Sequence, residues 1–385
     1  MKIKNKSTPQ TMSSLSVFLV FFGTIVGAGF ASGREVYVYF ARFGICGLIM
    51  TILAGLLFYV IGYVFLRLGK RCKVQSLSDF FKLIFGKFAP IIEIVVIFSY
   101  VIVLGAMFAG FDSLQHIVFS GLDYPVLAVI SAIFCVMAVL GGISKISKLN
   151  GLLLPLLLIF MGAILIFSLV GKPLSAVIRL GGVDTATMLY SFVSCLIFVC
   201  SNMFLTGFVL MKTGAHTSSQ VDKRAAKVTG FVLLAISFFA SLAIIVNPES
   251  VQYDMPFVYL AFGISDIFVI MSVVILWFAI FTTAIATMLT ISWWLKSYIN
   301  NFLYSTIITC IFSFLLSRVG FSVIIDIFYP LTGLMDIIFV LCALYLFAKS
   351  KDFEATFVLK HKNKLNKKNT IRLRSSYHFR IGKYK

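Results

Sequence analysis

Long apolar runs separated by short polar gaps dominate this chain. Runs of spanning length fall at about 14–42, 44–67, 89–119, 125–141, 151–170, 186–211, 229–247, 264–295, 301–317 and 322–348. A helix needs about 20 apolar residues to cross the hydrocarbon core of a bilayer, so each run predicts a membrane span. The run at 125–141 is the shortest, and those at 89–119 and 264–295 exceed the requirement and predict tilted or projecting helices. The pattern predicts an all-α integral membrane protein of about ten transmembrane helices.

The positions of the runs repeat. Spans one, three, four and five begin near 14, 89, 125 and 151, and spans six, eight, nine and ten near 186, 264, 301 and 322. The shift is roughly 170 to 176 residues throughout. Five spans per half force the second half upside down, which predicts two inverted five-helix repeats. The expected organisation is an N-terminal segment 1–13, repeat one at 14–170, repeat two at 186–348 and a tail at 349–385.

Composition sharpens this picture. Sixty per cent of the residues are hydrophobic, 12% are charged, and mean hydropathy is +1.04. A soluble domain keeps about a quarter of its residues charged, so lipid is the expected solvent. The formal net charge of +19 raises nucleic acid as a partner, but the placement of the charges excludes it. With the N-terminus inside, 28 of the 33 Lys and Arg fall in cytoplasmic segments, against Arg42, Lys172, Arg179 and Arg318 outside and Arg34 within span one. This is the positive-inside pattern, and it predicts a multi-pass membrane protein with both termini cytoplasmic. Twelve of the positive residues lie between Lys349 and Lys385, where they orient the chain and attract anionic lipid.

Smaller features read as structural. The lysines before the first run superficially resemble a secretory signal, but the later spans make that run the first membrane helix. The seven cysteines show no CxxC spacing and read as reduced packing residues. Ser76 to Lys87, with Phe80, Phe81, Ile84 and Phe85 on one side, predicts an amphipathic surface helix. Asn247 to Ile264, with Pro248 and Pro256, is a long external segment expected to fold as a lid.

The chemistry concentrates in span one, at Gly23-Thr24-Ile25-Val26-Gly27-Ala28-Gly29-Phe30-Ala31-Ser32-Gly33-Arg34-Glu35. Four glycines in the middle of a span weaken the helix and free its backbone to unwind. Unwound backbone at membrane depth survives only where it lines a protein-walled cavity. It offers amides that attract an anion and carbonyls that attract a cation. A small-residue packing seam is the plainer alternative, since Gly23 and Gly27 match that spacing.

The run GTIVGAGFASGREV resembles the first span of the YkvI-like family of bacterial membrane proteins. More distantly it is similar to the amino acid–polyamine–organocation superfamily, whose fold is that of the bacterial leucine transporter. Weaker echoes lie in span eight and in Tyr329-Pro330-Leu331-Thr332-Gly333 of span ten. The resemblance implies that helices 1 and 6 are broken, the second near Cys200-Ser201-Asn202-Met203. It implies a substrate site at Gly27, Ala28, Gly29 and Phe30, at Ser201 and Asn202, and in the middle of span three, where Tyr100 is the candidate. A solute carboxylate would rest on the amides of Gly27 and Gly29.

The resemblance also implies a sodium site. Gly23 and Val26 would supply carbonyls, completed in span eight by the carbonyl of Ala279 and the hydroxyls of Thr282 and Thr283. Bonding of each hydroxyl to its own helix is the alternative for that threonine pair. The lysine that replaces sodium in some proton-coupled relatives has no counterpart in 151–170. No cofactor is expected beyond that ion.

Ionisable residues within spans are costly and mark function. Arg34 and Glu35 point to different faces. Asp112 is expected to pair with Arg34 as an outer gate, and Asp336 is the candidate proton site. Enzymatic chemistry is not expected: Ser32 has no histidine within reach, and no HExxH motif occurs. The expected function is secondary transport of a small solute, an amino acid or related compound, by alternating access and with sodium coupling. The alternative is a membrane ligand sensor with the same fold. Oligomeric state is not readable.

Overall fold

The structure is a computed structural model, which describes residues 12–72, 77–119, 121, 124–141, 146–172 and 184–349. The lysines at 2, 4, 6, 73 and 145, Arg179 and the basic tail beyond Lys349 lie outside these residues. The described residues are helical, with no strand among them. In chain order the helices are α1 (Ser14–Ile25), α2 (Ala28–Ser32), α3 (Arg34–Tyr39), α4 (Gly44–Cys72), α5 (Leu77–Phe85), α6 (Ala89–Val118), α7 (Val126–Gly141) and α8 (Ile146–Leu169). They continue with α9 (Thr185–Gly214), α10 (Ser219–Val246), α11 (Pro256–Phe262), α12 (Asp266–Ile299), α13 (Phe302–Ser317) and α14 (Phe321–Lys349).

Span one is interrupted twice. Ser13 caps α1, its hydroxyl accepting from the Ser16 amide at 3.1 Å. α1 stops at Ile25, and Gly27 caps the next turn in extended backbone. The second break is Gly33, whose φ of 85° is the left-handed region that a residue with a Cβ rarely adopts. A Cβ at Gly33 would also strike the Phe257 ring of α11.

Span six carries no break. α9 runs uninterrupted from Thr185 to Gly214, through the Cys200–Met203 stretch where the family resemblance implied an unwound turn. The reason is local: no Gly or Pro occurs between Thr185 and Thr206. Asn202 turns its amide back onto the Phe198 carbonyl of the same helix at 2.9 Å. Polar side chains alone do not free a helical backbone.

The helices sort into two packed groups. α4 lies along both α9 and α10, and α1 packs against the same two. The approach of α4 to α10 is set by Gly55 against Gly230, where a Cβ on either would meet the other's carbonyl. α6, α7, α12 and α13 form the second group. These are spans one, two, six and seven against three, four, eight and nine. The repeat is also complete: α4 begins at Gly44 and α10 at Ser219, 175 positions later. Hydropathy placed span seven about ten residues late, because its first turns are the polar Ser219 to Lys227.

The amphipathic segment forms α5, and its Phe80 and Phe81 are buried against Phe339 of α14, with ring centroids 5.2 and 6.0 Å away. The segment after α10 folds as a short 3-10 turn, Pro248–Gln252, followed by α11.

Candidate functional site

Between the two groups lies a cleft lined from four spans. Glu35 and Tyr39 come from α3, Ser99 and Val103 from α6, Ser201, Asn202, Phe204 and Leu205 from α9, and Tyr329, Thr332 and Asp336 from α14. Close packing brings the walls together. A Cβ on Gly333 would stand 2.5 Å from both the Ser201 hydroxyl and the Ile197 side chain, so α14 abuts α9 without a spacer. Asp336, one turn on, is thereby set beside Ser201. The cleft is narrow. It has room for about two waters.

The electrostatics of the cleft are one-sided. Glu35 is 8% exposed and Asp336 5% exposed, and no Lys, Arg or His is among the lining residues. Taking a carboxylate out of water costs several kcal/mol, on the order of what one good ion pair returns. Two such groups facing one cavity define a seat for positive charge. The phenol oxygen of Tyr39, itself 2% exposed, is buried without a hydrogen-bond partner. It belongs to the lining, where it is open to a ligand's donors or acceptors.

The backbone of span one is not disposed as expected. The Gly27 amide already donates to the Ile25 carbonyl at 2.8 Å, and the Glu35 side chain fills the space beside Gly29. In this arrangement the Gly27 amide is engaged within span one, and the Glu35 side chain covers the Cα side of Gly29. Ala28 and Phe30 are buried, and the Phe30 ring packs on Phe198 at 6.2 Å within a cluster that includes Tyr39, Phe40 and Phe58. Tyr100 lies behind the cleft wall with its ring 6.0 Å from Phe204, while the neighbouring Ser99 faces the cavity.

The other proposed position lies where span one meets span eight. A Cβ at Gly27 would stand 3.9 Å from the Thr283 side chain, so the first break of span one faces α12. Thr282 and Thr283 both donate to the Ala279 carbonyl, at 3.1 and 2.9 Å. That is the helix-internal bonding named as the alternative, and it leaves the hydroxyl lone pairs free as acceptors. Gly23 packs toward Leu154 of α8.

A polar latch ties span one to span ten and to the segment after α10. Arg34 makes a two-point ion pair with Asp326, its Nε donating at 2.8 Å and Nη2 to the second carboxylate oxygen. Its Nη1 donates to the Val251 carbonyl at 3.1 Å and approaches that of Tyr253 at 3.4 Å. Asp254 accepts from Ser113 at 2.7 Å and pairs with Ser322. The segment after α10 is thus tied to spans one, three and ten. The expected Arg34–Asp112 pair does not form. Asp112 pairs with Arg318 instead, at 3.1 Å, because Arg34 turns toward the π-helical turn Ile324–Phe328 that presents Asp326.

The structure therefore gathers Glu35, Ser201, Asn202 and Asp336 into one cleft and places Gly27 beside Thr283. Sequence reasoning missed Tyr39, Ser99, Tyr329 and Thr332. The signal for two of them was present in the Tyr329–Gly333 motif, whose glycine makes the close approach to α9. Ser32 is a helix-end group, donating to the Gly29 carbonyl and accepting from the Arg34 amide. Among the described residues no group of His, Cys, Asp or Glu is arranged to hold a metal ion.

Known structures share this architecture. The chain superposes on MhsT in complex with L-phenylalanine with a TM-score of 0.61 at 17% identity, covering 86% of this chain and 89% of that one. It superposes on the inward-facing conformation of Mhp1 at 0.57 and 15% identity, covering 87% and 77%. For Mhp1, a nucleobase-cation-symport-1 family transporter, in a closed form with bromovinylhydantoin bound, the TM-score is 0.55 at 15% identity, with 86% and 78% covered. The protein is thus a multi-pass membrane protein of the leucine-transporter fold, a fold it shares with the transporter Mhp1. Among curated sequences it is similar to the uncharacterized membrane protein YkvI of Bacillus subtilis, 24% identical over 333 residues, 85% of this chain and 94% of the relative. It is also similar to the uncharacterized protein YyaD of the same organism, at 21% over 331 residues and the same coverage. The YkvI-like resemblance of the span-one motif thus extends over nearly the whole membrane region. No family model matches.

Proposed function

We propose that the protein is a secondary transporter of a small solute, an amino acid or a related compound, working by alternating access in a bacterial plasma membrane. The observation that carries this reading is the polar cleft at the boundary between two separately packed helix groups. A site there changes its access when one group tilts against the other, without being rebuilt. Spans one, two, six and seven would move against three, four, eight and nine. The Arg34–Asp326 latch would close one side, and its opening would admit solute.

Sodium is the proposed coupling ion, held by the carbonyls of Gly23 and Val26 with Ala279, Thr282 and Thr283. The nearness of Gly27 to Thr283 supports this position. An ion there would join the moving first span to the fixed eighth and tie ion binding to closure. Both termini would be cytoplasmic, with the tail 349–385 against anionic lipid.

Two-sided labelling tests the reading. Thr332→Cys, in a protein whose seven native cysteines are replaced, should react with a membrane-impermeant thiol reagent from either face of oriented vesicles. Reaction from one face only, under every solute and ion condition, would indicate a fixed receptor site.

A further inference from the structure

The lining of the cleft says more about the solute than its size. Its two carboxylates face the cavity without a basic side chain among the lining residues. The nearest basic groups on span one are committed elsewhere: Arg34 to Asp326 and the Val251 carbonyl, Arg42 exposed with its guanidinium 4.7 Å from the Phe43 ring. The Tyr39 oxygen adds an unpartnered buried group that accepts from an N–H. The apolar part of the wall is Val103, Phe204 and Leu205 with the tyrosine rings, a surface suited to an organic body and to cation–π contact rather than to a bare ion.

A carboxylate on the solute would meet no basic side chain among the lining residues. It would place a negative charge in a cavity walled by two acidic side chains, and the Gly27 amide is already engaged by the Ile25 carbonyl. We propose that the cleft selects a protonated amine lacking a free carboxylate, with Glu35 and Asp336 as its counter-charges and Tyr39 as a further ligand. This deepens the transport reading and rests on it. The ammonium head fills the narrow part of the cleft between α3 and α14. The apolar body extends along Phe204 and Leu205 once the latch opens.

Amino acids and the amines that differ from them only by loss of the carboxylate test this. The pairs are L-leucine with isopentylamine and L-phenylalanine with phenethylamine, each titrated calorimetrically into the purified full-length protein. Each amine should bind at least about tenfold more tightly than its amino acid, because like-charge placement in a desolvated site is strongly unfavourable. Glu35→Gln and Asp336→Asn should each weaken the amine by about tenfold or more. Equal or tighter binding of the amino acids would overturn the proposal, as would absence of binding by both amines. The comparison on the unmodified protein decides the matter even where a variant fails to fold. Two-sided accessibility combined with amino acid preference would leave alternating access standing and remove the amine assignment.

Discussion

The Glu35 carboxyl group lies across Gly29, in the volume where any other residue at that position would carry its Cβ. Span one thereby lays its own acid over its own glycine-rich backbone, with Asp336 on the same cavity. Glycine at 29 is required by this approach and not by backbone angle, since its φ is not positive.

Gly29→Ala should therefore act through Glu35. The added methyl group would push the carboxylate out of place, and solute affinity should fall by about tenfold while the helix itself gains propensity. Calorimetry against the best-binding solute checks the first effect, and the melting temperature checks that the fold survives. Unchanged affinity would show that the position of Glu35 is immaterial.

The Arg34–Asp326 pair predicts a measurable coupling. Arg34→Ala and Asp326→Ala should each destabilise by about 1–3 kcal/mol, since each strands a partly buried partner. The double variant should recover part of that loss, giving a coupling of about 0.5–3 kcal/mol in a thermal double-mutant cycle. Both single variants should also speed proteolysis between Pro248 and Phe262. Additive losses with no coupling would mean that the latch is incidental.

At the opposite end, Asp222 is fully buried, accepts from Thr217 and stands 3.6 Å from Arg67. Lys70 donates to the Thr217 carbonyl at 3.4 Å, so spans two and seven are joined there by one polar cluster. Asp222→Ala should cost about 2–4 kcal/mol by leaving Arg67 without its counter-charge. Arg67→Met with Asp222→Leu should be far milder, which thermal unfolding would register.

The threonine pair makes the ion assignment testable. Thr282→Ala with Thr283→Ala should abolish any sodium dependence of solute binding while leaving the sodium-free affinity within about twofold. The single change Thr282→Ala should weaken sodium and not solute. Sodium dependence that persists in the double variant would remove the site.

Much of this was legible in the sequence, for identifiable physical reasons. Hydropathy and charge alternation give the spans because lipid tolerates few alternatives to an apolar helix. The same rule exposed Glu35 and Asp336, since intramembrane carboxylates stand out against an apolar background. The pairings were not legible. Arg34 has two acidic candidates, and whether it meets Asp112 or Asp326 depends on the π-turn of α14, a local geometry that no residue pattern announces. The expected break in span six came from resemblance and not from residues, and the unbroken α9 follows from the absence of Gly and Pro there. Ser99 and Tyr100 are neighbours on α6, and the rotation of that helix, which no residue pattern fixes, decides that Ser99 faces the cleft.

Uptake into proteoliposomes tests the central claim most directly. Radiolabelled amines and amino acids would be offered to vesicles containing the unmodified protein or Asp336→Asn, under an inward sodium gradient. Transport predicts saturable, concentrative uptake of at least one solute, lost with Asp336→Asn and absent from protein-free vesicles. A solute that binds the purified protein yet never accumulates in the vesicles would contradict transport and make the protein a receptor built on a transporter fold.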